Sequence, residues 1–170
     1  MISIRPARID DAAIICAVET EVSATPGYLV SAPDEHSLES SRRMIEQLSG
    51  GVGCCFVAEE GDRVVGHAFL RPMDLRAVAH VFRLTIVVHP AHWSRGVGKT
   101  LMEALCRWAV QSPQVEKVEL LVRSSNEAAR ALYAQFGFVT EGCLRNRVRL
   151  PSGAYVDDIS MAWFPKGGHA

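Results

Sequence analysis

A glycine-containing segment from Ile86 to Met102 has residue types and spacing suited to binding phosphate. The sequence predicts a strand, a turn at His89-Pro90, and then a helix that begins around Gly96-Val97-Gly98. A helix N-terminus offers free N–H groups and the positive end of the macrodipole, and glycine lets the backbone approach a ligand closely. Arg95 and Lys99 add positive charge on either side. We therefore expect this segment to hold the pyrophosphate of a nucleotide-containing cofactor.

Two familiar nucleotide motifs each fail at one position of this segment. Gly98-Lys99-Thr100 could end a P-loop, but the glycine required five residues earlier is Trp93. A dinucleotide fingerprint needs a small residue where this chain has Leu101. These departures argue against an NTP-binding protein. By itself, Gly-x-Gly is better explained by an ordinary strand-to-helix turn.

A second segment, from Ser124 to Gly142, supplies further evidence. Together the two segments resemble the GNAT superfamily of N-acetyltransferases, which use acetyl-coenzyme A. The family's loop, Gln/Arg-x-x-Gly-x-Gly/Ala, corresponds to Trp93 through Gly98. Its later helix, with an early Asn, a late Tyr and a following Gly-Phe, corresponds to Asn126, Tyr133 and Gly137-Phe138. Trp93 departs from the usual Gln/Arg, but a main-chain N–H cradle does not depend on that side chain.

The resemblance implies a fold, a cofactor and a set of cofactor contacts. The expected fold is a single α/β domain over residues 1–170. Its mixed, mostly antiparallel sheet has about seven strands and about four flanking helices, with a splay between the two central strands. Pantetheine would lie in the splay and pair with backbone groups of the first of these strands. The residues implied in acetyl-CoA binding are Ile86, Val87, Val88, Arg95, Gly96, Val97, Gly98, Lys99, Thr100 and Asn126.

Tyr133 is the residue that the resemblance implies as general acid, because acyl transfer expels a thiolate that gains from a proton donor. On spacing alone, a packed core tyrosine is the preferred interpretation. Asn126 could contact the cofactor or simply cap a helix. No general base is assigned. The candidates are His67, His80, Asp157 and Asp158, and for each of them a surface or structural role is the preferred interpretation.

The function implied is direct acetyl transfer from acetyl-CoA to a primary amine. The acceptor could be a small molecule, an amino acid or a protein N-terminus. The alternative is a non-catalytic acyl-CoA-binding or sensing module of the same fold, which would keep the loop and lose the acid. In the family, the segment corresponding to Pro26–Val30 lines the acceptor site. A homodimer is also suggested by relatives.

The amino-acid composition limits the binding partners and the cellular compartment that can be expected. The chain has 170 residues, 48% of them hydrophobic, and a net charge of -1, which gives no reason to expect nucleic acid or an anionic membrane. The apolar run from Ala12 to Val18 is too short to span a bilayer and lacks the features of a secretory signal. The five cysteines are expected to be reduced thiols in a cytoplasmic protein. His89 and His92 form no recognisable metal motif, so no metal is expected.

The elements that would position these residues follow from periodicity and turn residues. Ser124 with Glu127 predicts a capping box for the helix that carries Tyr133. Helices are predicted over 9–22, 36–48, 98–110 and the segment after Ser124. Strands are predicted over 2–6, 55–59, 64–70, 79–88, 115–122, 138–150 and 154–164.

Overall fold

In the computed structural model, which describes residues 1–167, strands and helices follow the predicted order closely. The strands are β1 (Ile2–Pro6), β2 (Cys54–Glu60), β3 (Arg63–Pro72), β4 (Val81–Val88), β5 (Lys117–Arg123), β6 (Val139–Arg149) and β7 (Tyr155–Trp163). The helices are α1 (Ala12–Ser23), α2 (Leu38–Gln47), α3 (Val97–Gln111) and α4 (Glu127–Gln135).

The seven strands form one sheet in the order β1-β2-β3-β4-β5-β7-β6. Among these seven strands of the described residues, the β4–β5 pair is parallel and the other neighbouring pairs are antiparallel. The parallel register is short and joins Val81–Arg83 to Lys117–Glu119. Beyond Arg83 the two strands separate, which opens the sheet at its centre. The predicted fold class, including the splay, is confirmed.

Helices cover the two faces of the sheet. On one face, α3 contributes Leu101, Met102 and Leu105, all within 1% of full burial, to a core that also includes Phe82 and Tyr133. On the other face, α1 buries an apolar stripe against side chains of β2 and β4. The stripe has the three- to four-residue spacing of an amphipathic helix. It consists of Ala12, Ile15, Val18 and Val22.

Several predicted element boundaries were wrong. The α4 helix is capped by Asn126, whose side chain accepts a hydrogen bond from the Ala129 N–H, so the capping box at Ser124 does not form. The α2 helix begins after Ser37, a serine cap, instead of at His36. The β4 strand begins at Val81 because a short 3₁₀ turn and a further turn occupy the preceding residues. In each case a nearby side chain or turn sets the start of the element, which apolar periodicity does not mark.

Candidate functional site

The separation of β4 and β5 creates a cleft of about 560 Å³, a size typical of small-molecule sites. The last residues of both strands form its walls, and the N-terminus of α3 and one side of α4 close it. Its titratable side chains are Tyr28, His92, Lys99, Arg123 and Tyr133, and no carboxylate lies in this lining of described residues. The cleft therefore favours an anionic ligand.

The loop before α3 has the backbone conformation that a ligand cradle needs. Gly96, the N-cap of α3, has φ of 83°, a left-handed conformation that glycine adopts without penalty. Ser94 also has a positive φ, 60°, which is uncommon for a residue with a side chain. Both residues line the cleft together with Val97, Gly98 and Lys99. The free N–H groups of the first α3 turn therefore lie beside the cleft.

Backbone groups of β4 face the cleft as well. The His89 N–H donates to the Val65 carbonyl on the β3 side. Because successive residues of a strand direct their backbone groups to opposite sides, those of Ile86 and Val88 are directed toward β5. The β5 register ends at Arg83, so an extended ligand could pair with Ile86 as an added strand does.

Trp93 occupies part of this backbone edge. Its indole Nε1 donates a hydrogen bond of 2.7 Å to the Val88 carbonyl, which leaves the Val88 N–H on the same edge. The indole ring also stacks on Tyr28, with ring centroids 4.4 Å apart and an interplanar angle of 22°. Trp93 thus connects β4 to the loop between α1 and α2, which contributes Tyr28, Leu29 and Val30 to the cleft.

Two residues of the expected cofactor set do not line the cleft. The Arg95 guanidinium pairs with Glu60 at 2.8 Å and contacts His92, which draws it toward the β2–β3 turn. The Thr100 hydroxyl donates to the Gly96 carbonyl at 3.1 Å and so belongs to the first turn of α3. The other expected residues, Ile86, Val87, Val88, Gly96, Val97, Gly98, Lys99 and Asn126, all line the cleft.

Tyr133 lies on α4 with its ring packed near Phe138, at a centroid distance of 5.9 Å. The residue is only 7% exposed and lines the cleft, and its hydroxyl has no hydrogen-bond partner within residues 1–167. Burial raises the pKa of Tyr133 above its ordinary value, although the charge of Arg123 opposes this effect. The phenol is therefore protonated at neutral pH and can act as a proton donor.

None of the four candidate bases lies in the cleft lining. His80 is exposed at the opposite end of β4, and Asp157 accepts a hydrogen bond of 2.7 Å from the Asn146 N–H. Asp158 is 1% exposed and forms a buried ion pair with Arg123. His67 is fully buried. Each has the structural or surface role that sequence reasoning left open.

His67 belongs to a buried cluster that the sequence did not reveal. Its Nε2 lies 3.0 Å from one carboxylate oxygen of Glu19, and the Nδ1 of His36 lies 3.2 Å from the other. His36 Nε2 also contacts the hydroxyls of Ser23 and Ser31. Burial opposes ionisation of Glu19, but the hydrogen bonds and charges of the two histidines outweigh it and lower its pKa. The cluster ties α1, β3 and the α1–α2 loop together.

Three further observations concern the chain as described, from residue 1 to residue 167. All five cysteines are free thiols, and burial raises the pKa of Cys54 and of Cys55 to about 12. No group of three His, Cys, Asp or Glu side chains in this range is placed to hold a metal ion. None of its helices combines the length and apolar character needed to cross a membrane.

Comparison with known proteins identifies the family. The profile of the Acetyltransferase (GNAT) family matches residues 21–138. The chain is 26% identical over 163 residues to phosphinothricin N-acetyltransferase of Alcaligenes faecalis, covering 94% of this chain and 80% of that protein. It is 36% identical over 97 residues to N-alpha-acetyltransferase RimI of Mycobacterium tuberculosis, covering 57% of this chain and 58% of that one. Of three curated relatives, two are matched over less than two thirds of their own length.

Solved structures confirm the fold. The structure of YncA from Salmonella typhimurium, determined with its cofactor acetyl-CoA, superposes with a TM-score of 0.91 at 19% identity. The superposition covers 100% of this chain and 97% of that one. The family profile spans more than two thirds of the chain and includes both the β4–β5 opening and the α3 N-terminus. This chain is a member of the GNAT family of acetyltransferases.

Proposed function

We propose that this protein is an acetyl-CoA-dependent N-acetyltransferase that acts by direct transfer to a primary amine. The acceptor is a small molecule, an amino acid or a protein N-terminus. The observation that carries the proposal is the cleft between β4 and β5, which combines a free backbone edge with the N-terminus of α3. Those two features suit the amide-rich pantetheine and the pyrophosphate of acetyl-CoA respectively.

The residues in the cleft fit this ligand. Backbone groups of Ile86 would pair with pantetheine, and the Val88 N–H would lie at the thioester end of the same ligand. The N–H groups of the first α3 turn would bind the pyrophosphate. Lys99 would add positive charge from the cleft wall. Arg95 and Thr100 would act less directly, by the ion pair with Glu60 and the hydrogen bond to Gly96 that shape the loop. Val87 and Asn126 complete the walls, and Asn126 also caps α4.

Tyr133 is proposed as the general acid. The bound thioester supplies an activated acetyl group, and its transfer forms a C–N bond and breaks a C–S bond. Tyr133 donates its phenolic proton to the departing sulfur, since burial keeps the phenol protonated. The Val88 N–H is the proposed donor to the thioester oxygen, which becomes more negative during the transfer. No carboxylate among residues 1–167 lines the cleft, so the proton of the amine is proposed to leave by way of water.

The relatives support this reading of the acceptor. One is named a phosphinothricin N-acetyltransferase and another an N-alpha-acetyltransferase, so one acts on a small amine and the other on an α-amino group. The first match covers 94% of this chain, the second only 57%. We infer a primary amine as acceptor from what the two names share.

A thiol-release assay tests the proposal. The protein is incubated with acetyl-CoA and a panel of alkyl amines, amino acids and short peptides, and free coenzyme A is measured with a thiol reagent. The expected result is amine-dependent thiol release with an N-acetylated product in mass spectrometry. Tight binding of acetyl-CoA without transfer to any amine would instead support the non-catalytic sensing module.

We also propose that residues 1–170 form one domain and that the protein is a cytoplasmic homodimer. The continuous seven-stranded sheet supports the first point, and the free thiols agree with a reducing compartment. Large apolar side chains exposed on the β6–β7 pair support self-association: Val139 at 58%, Leu144 at 41% and Tyr155 at 57%. Sedimentation equilibrium distinguishes a dimer from a monomer.

A further inference from the structure

The loop between α1 and α2 is closed at its base by one side chain. The loop leaves α1 after Ser23 and meets α2 at Leu38. Near its end, His36 places Nε2 2.7 Å from the Ser23 hydroxyl and 3.0 Å from the hydroxyl of Ser31. Compact surface loops whose two ends lie close together are frequently functional. His36 is the side chain that joins the two ends of this loop.

Glu19 of α1 holds the imidazole of His36 in place. One carboxylate oxygen of Glu19 lies 3.2 Å from His36 Nδ1, and the other lies 3.0 Å from Nε2 of the fully buried His67. Within residues 1–167, Nδ1 of His67 has no hydrogen-bond partner, so the neutral ring carries its proton on Nε2 and donates it to Glu19. The carboxylate cannot turn toward solvent without leaving His67 buried and unpaired. These three side chains and the hydroxyls of Ser23 and Ser31 form the Glu19 cluster.

The tip of the same loop forms part of the cleft. Tyr28, Leu29 and Val30 line the cleft, directly before a serine of the Glu19 cluster. Tyr28 and Val30 are 38% and 63% exposed, so burial alone gives the tip little support. Its position in the cleft therefore depends on the stack of Tyr28 on Trp93 and on the Glu19 cluster at the base of the loop.

We propose that His36, oriented by Glu19, is a positioning residue for acetyl transfer, because it holds the α1–α2 loop where the amine acceptor binds. This inference rests on the proposed function and identifies the side chains that place its acceptor. Neither His36 nor Glu19 is among the described residues that line the cleft, so neither is placed to contact the amine.

A loop held in this way affects binding of the acceptor and leaves the chemical step alone. When the loop opens, the apparent affinity for the acceptor falls in proportion to the fraction of molecules that keep the loop in place. Saturating acceptor restores the closed loop, because the acceptor binds that state alone. Weakening the Glu19 cluster should therefore raise the acceptor KM and leave kcat unchanged.

His36→Ala is the first variant to measure in the thiol-release assay. It removes the contacts of both ring nitrogens, and loss of a hydrogen bond to a charged group shifts an equilibrium by about 10- to 100-fold. The acceptor KM should rise about tenfold, while kcat and the Kd for acetyl-CoA stay within about twofold. Unchanged KM would overturn the proposal. A fall in kcat at unchanged KM would overturn it as well, because His36 would then act in the chemical step.

Two milder changes keep more of the cluster. His36→Gln retains a polar group for the serine hydroxyls and loses the second ring nitrogen, so it should reverse part of the KM increase seen in His36→Ala. Ser23→Ala combined with Ser31→Ala leaves the Glu19–His67 pair intact and tests the loop even if His36→Ala does not fold. The acceptor KM of this double variant should rise severalfold, and a wild-type value would contradict the positioning role.

Glu19→Gln and Glu21→Gln form a matched pair on α1. Each removes one carboxylate charge that faces a histidine at 3.0 Å, since Glu21 pairs with His89. The Glu21 side chain is 55% exposed and lies outside the Glu19 cluster. Glu19→Gln should raise the acceptor KM severalfold, whereas the KM of Glu21→Gln should stay close to that of wild type. Equal KM values in the two variants would remove Glu19 from the proposal.

Hydrogen exchange in the ligand-free protein tests the loop without any acetyl transfer. In mass spectrometry, amides of residues 24–35 should exchange about tenfold faster in His36→Ala than in wild type. Exchange of the β5 amides should not change. Unchanged exchange in the loop would overturn the positioning role even in an active acetyltransferase. Faster loop exchange in a protein that acetylates no amine would support the hold of His36 on the loop, and the proposed function alone would fail.

Discussion

Two parts of the cleft region are built differently: the proposed cofactor side, formed by β4 and the N-terminus of α3, and the proposed acceptor side, formed by the α1–α2 loop and the side chains that hold it. On the proposed cofactor side, the contacts come from backbone groups: the strand edge at Ile86, the Val88 N–H and the first turn of α3. On the acceptor side, side chains distant in sequence make the structure, such as Glu19 with His67 and Tyr28 with Trp93. A site made of backbone depends on a short local motif. A site made of side chains depends on the whole fold.

The largest expected effect comes from breaking the backbone cradle with Gly98→Glu. A Cβ at position 98 would lie 3.3 Å from the Leu132 side chain, and the carboxylate would face a site proposed to hold phosphate. Opposed like charges cost several kcal/mol, so affinity for acetyl-CoA in calorimetry should fall by about 100-fold or more. Gly142→Glu, on β6 with open space around its Cβ, is the matched control. Unchanged affinity in Gly98→Glu would remove the cradle from the proposal.

Tyr133→Phe tests whether chemistry, as distinct from binding, depends on one side chain of the cofactor side. Loss of a general acid typically costs about 100-fold or more, so kcat should fall by that order while the Kd for acetyl-CoA stays within about twofold. Because burial raises the pKa of Tyr133, wild-type kcat should not decline through loss of this proton below about pH 10. The control is Tyr155→Phe, at an exposed tyrosine of β7. Wild-type turnover in Tyr133→Phe would assign proton donation to another group.

Glu19→Gln tests how far ionic contacts stabilise the acceptor side. The fully buried His67 would lose a charged partner, so the free energy of unfolding at pH 7 should fall by about 1–3 kcal/mol. Since the pKa of Glu19 is lowered in the folded state, its contribution is present above the unfolded value of about 4.3 and is lost as pH falls through the folded value. Wild-type stability should therefore decrease more steeply under acid than that of the variant in urea titrations.

Glu39→Gln provides the matched surface comparison for this experiment. Glu39 pairs with Arg43 on α2, but its side chain is 80% exposed. Exposed pairs of this kind contribute about 0–1 kcal/mol. Equal losses in Glu19→Gln and Glu39→Gln would mean that the buried cluster adds no more stability than an ordinary surface pair.

The same contrast explains what could be predicted from the sequence. Gly96 and Gly98 stand within a few residues of the strand that they follow, and their spacing carries the prediction of the cradle. Arg95 is predicted at the phosphate from its place in the loop and from the family resemblance. In the structure its guanidinium pairs with Glu60, a residue 35 positions away. Glu19 and His67 are 48 positions apart. Without the fold, no local pattern marks such pairs.

The types of the helices and strands were predictable because apolar periodicity is also a local pattern. The residues at which they begin and end were not. Apolar periodicity along α3 identifies the helix and its buried face, with Leu101 and Leu105 in the core. The start of α4 depends on which of two polar residues caps it, since both Ser124 and Asn126 are suitable types. Asn126 forms the cap in the structure. Which of the two residues caps α4 depends on the path of the chain from the end of β5 into the helix. Apolar periodicity contains no information about that path.

The smallest expected effect concerns the Tyr28–Trp93 stack, where the two sides of the cleft meet. Trp93 binds the Val88 carbonyl on the cofactor side and stacks on Tyr28 on the acceptor side. A double-mutant cycle with Tyr28→Ala and Trp93→Ala should give a coupling energy of about 1 kcal/mol in urea unfolding, as aromatic pairs do. Each variant should raise the acceptor KM severalfold, because the loop that contributes Leu29 and Val30 to the cleft loses its attachment. Strictly additive losses would mean that the rings are neighbours without mutual stabilisation, and that the acceptor loop is held by the Glu19 cluster alone.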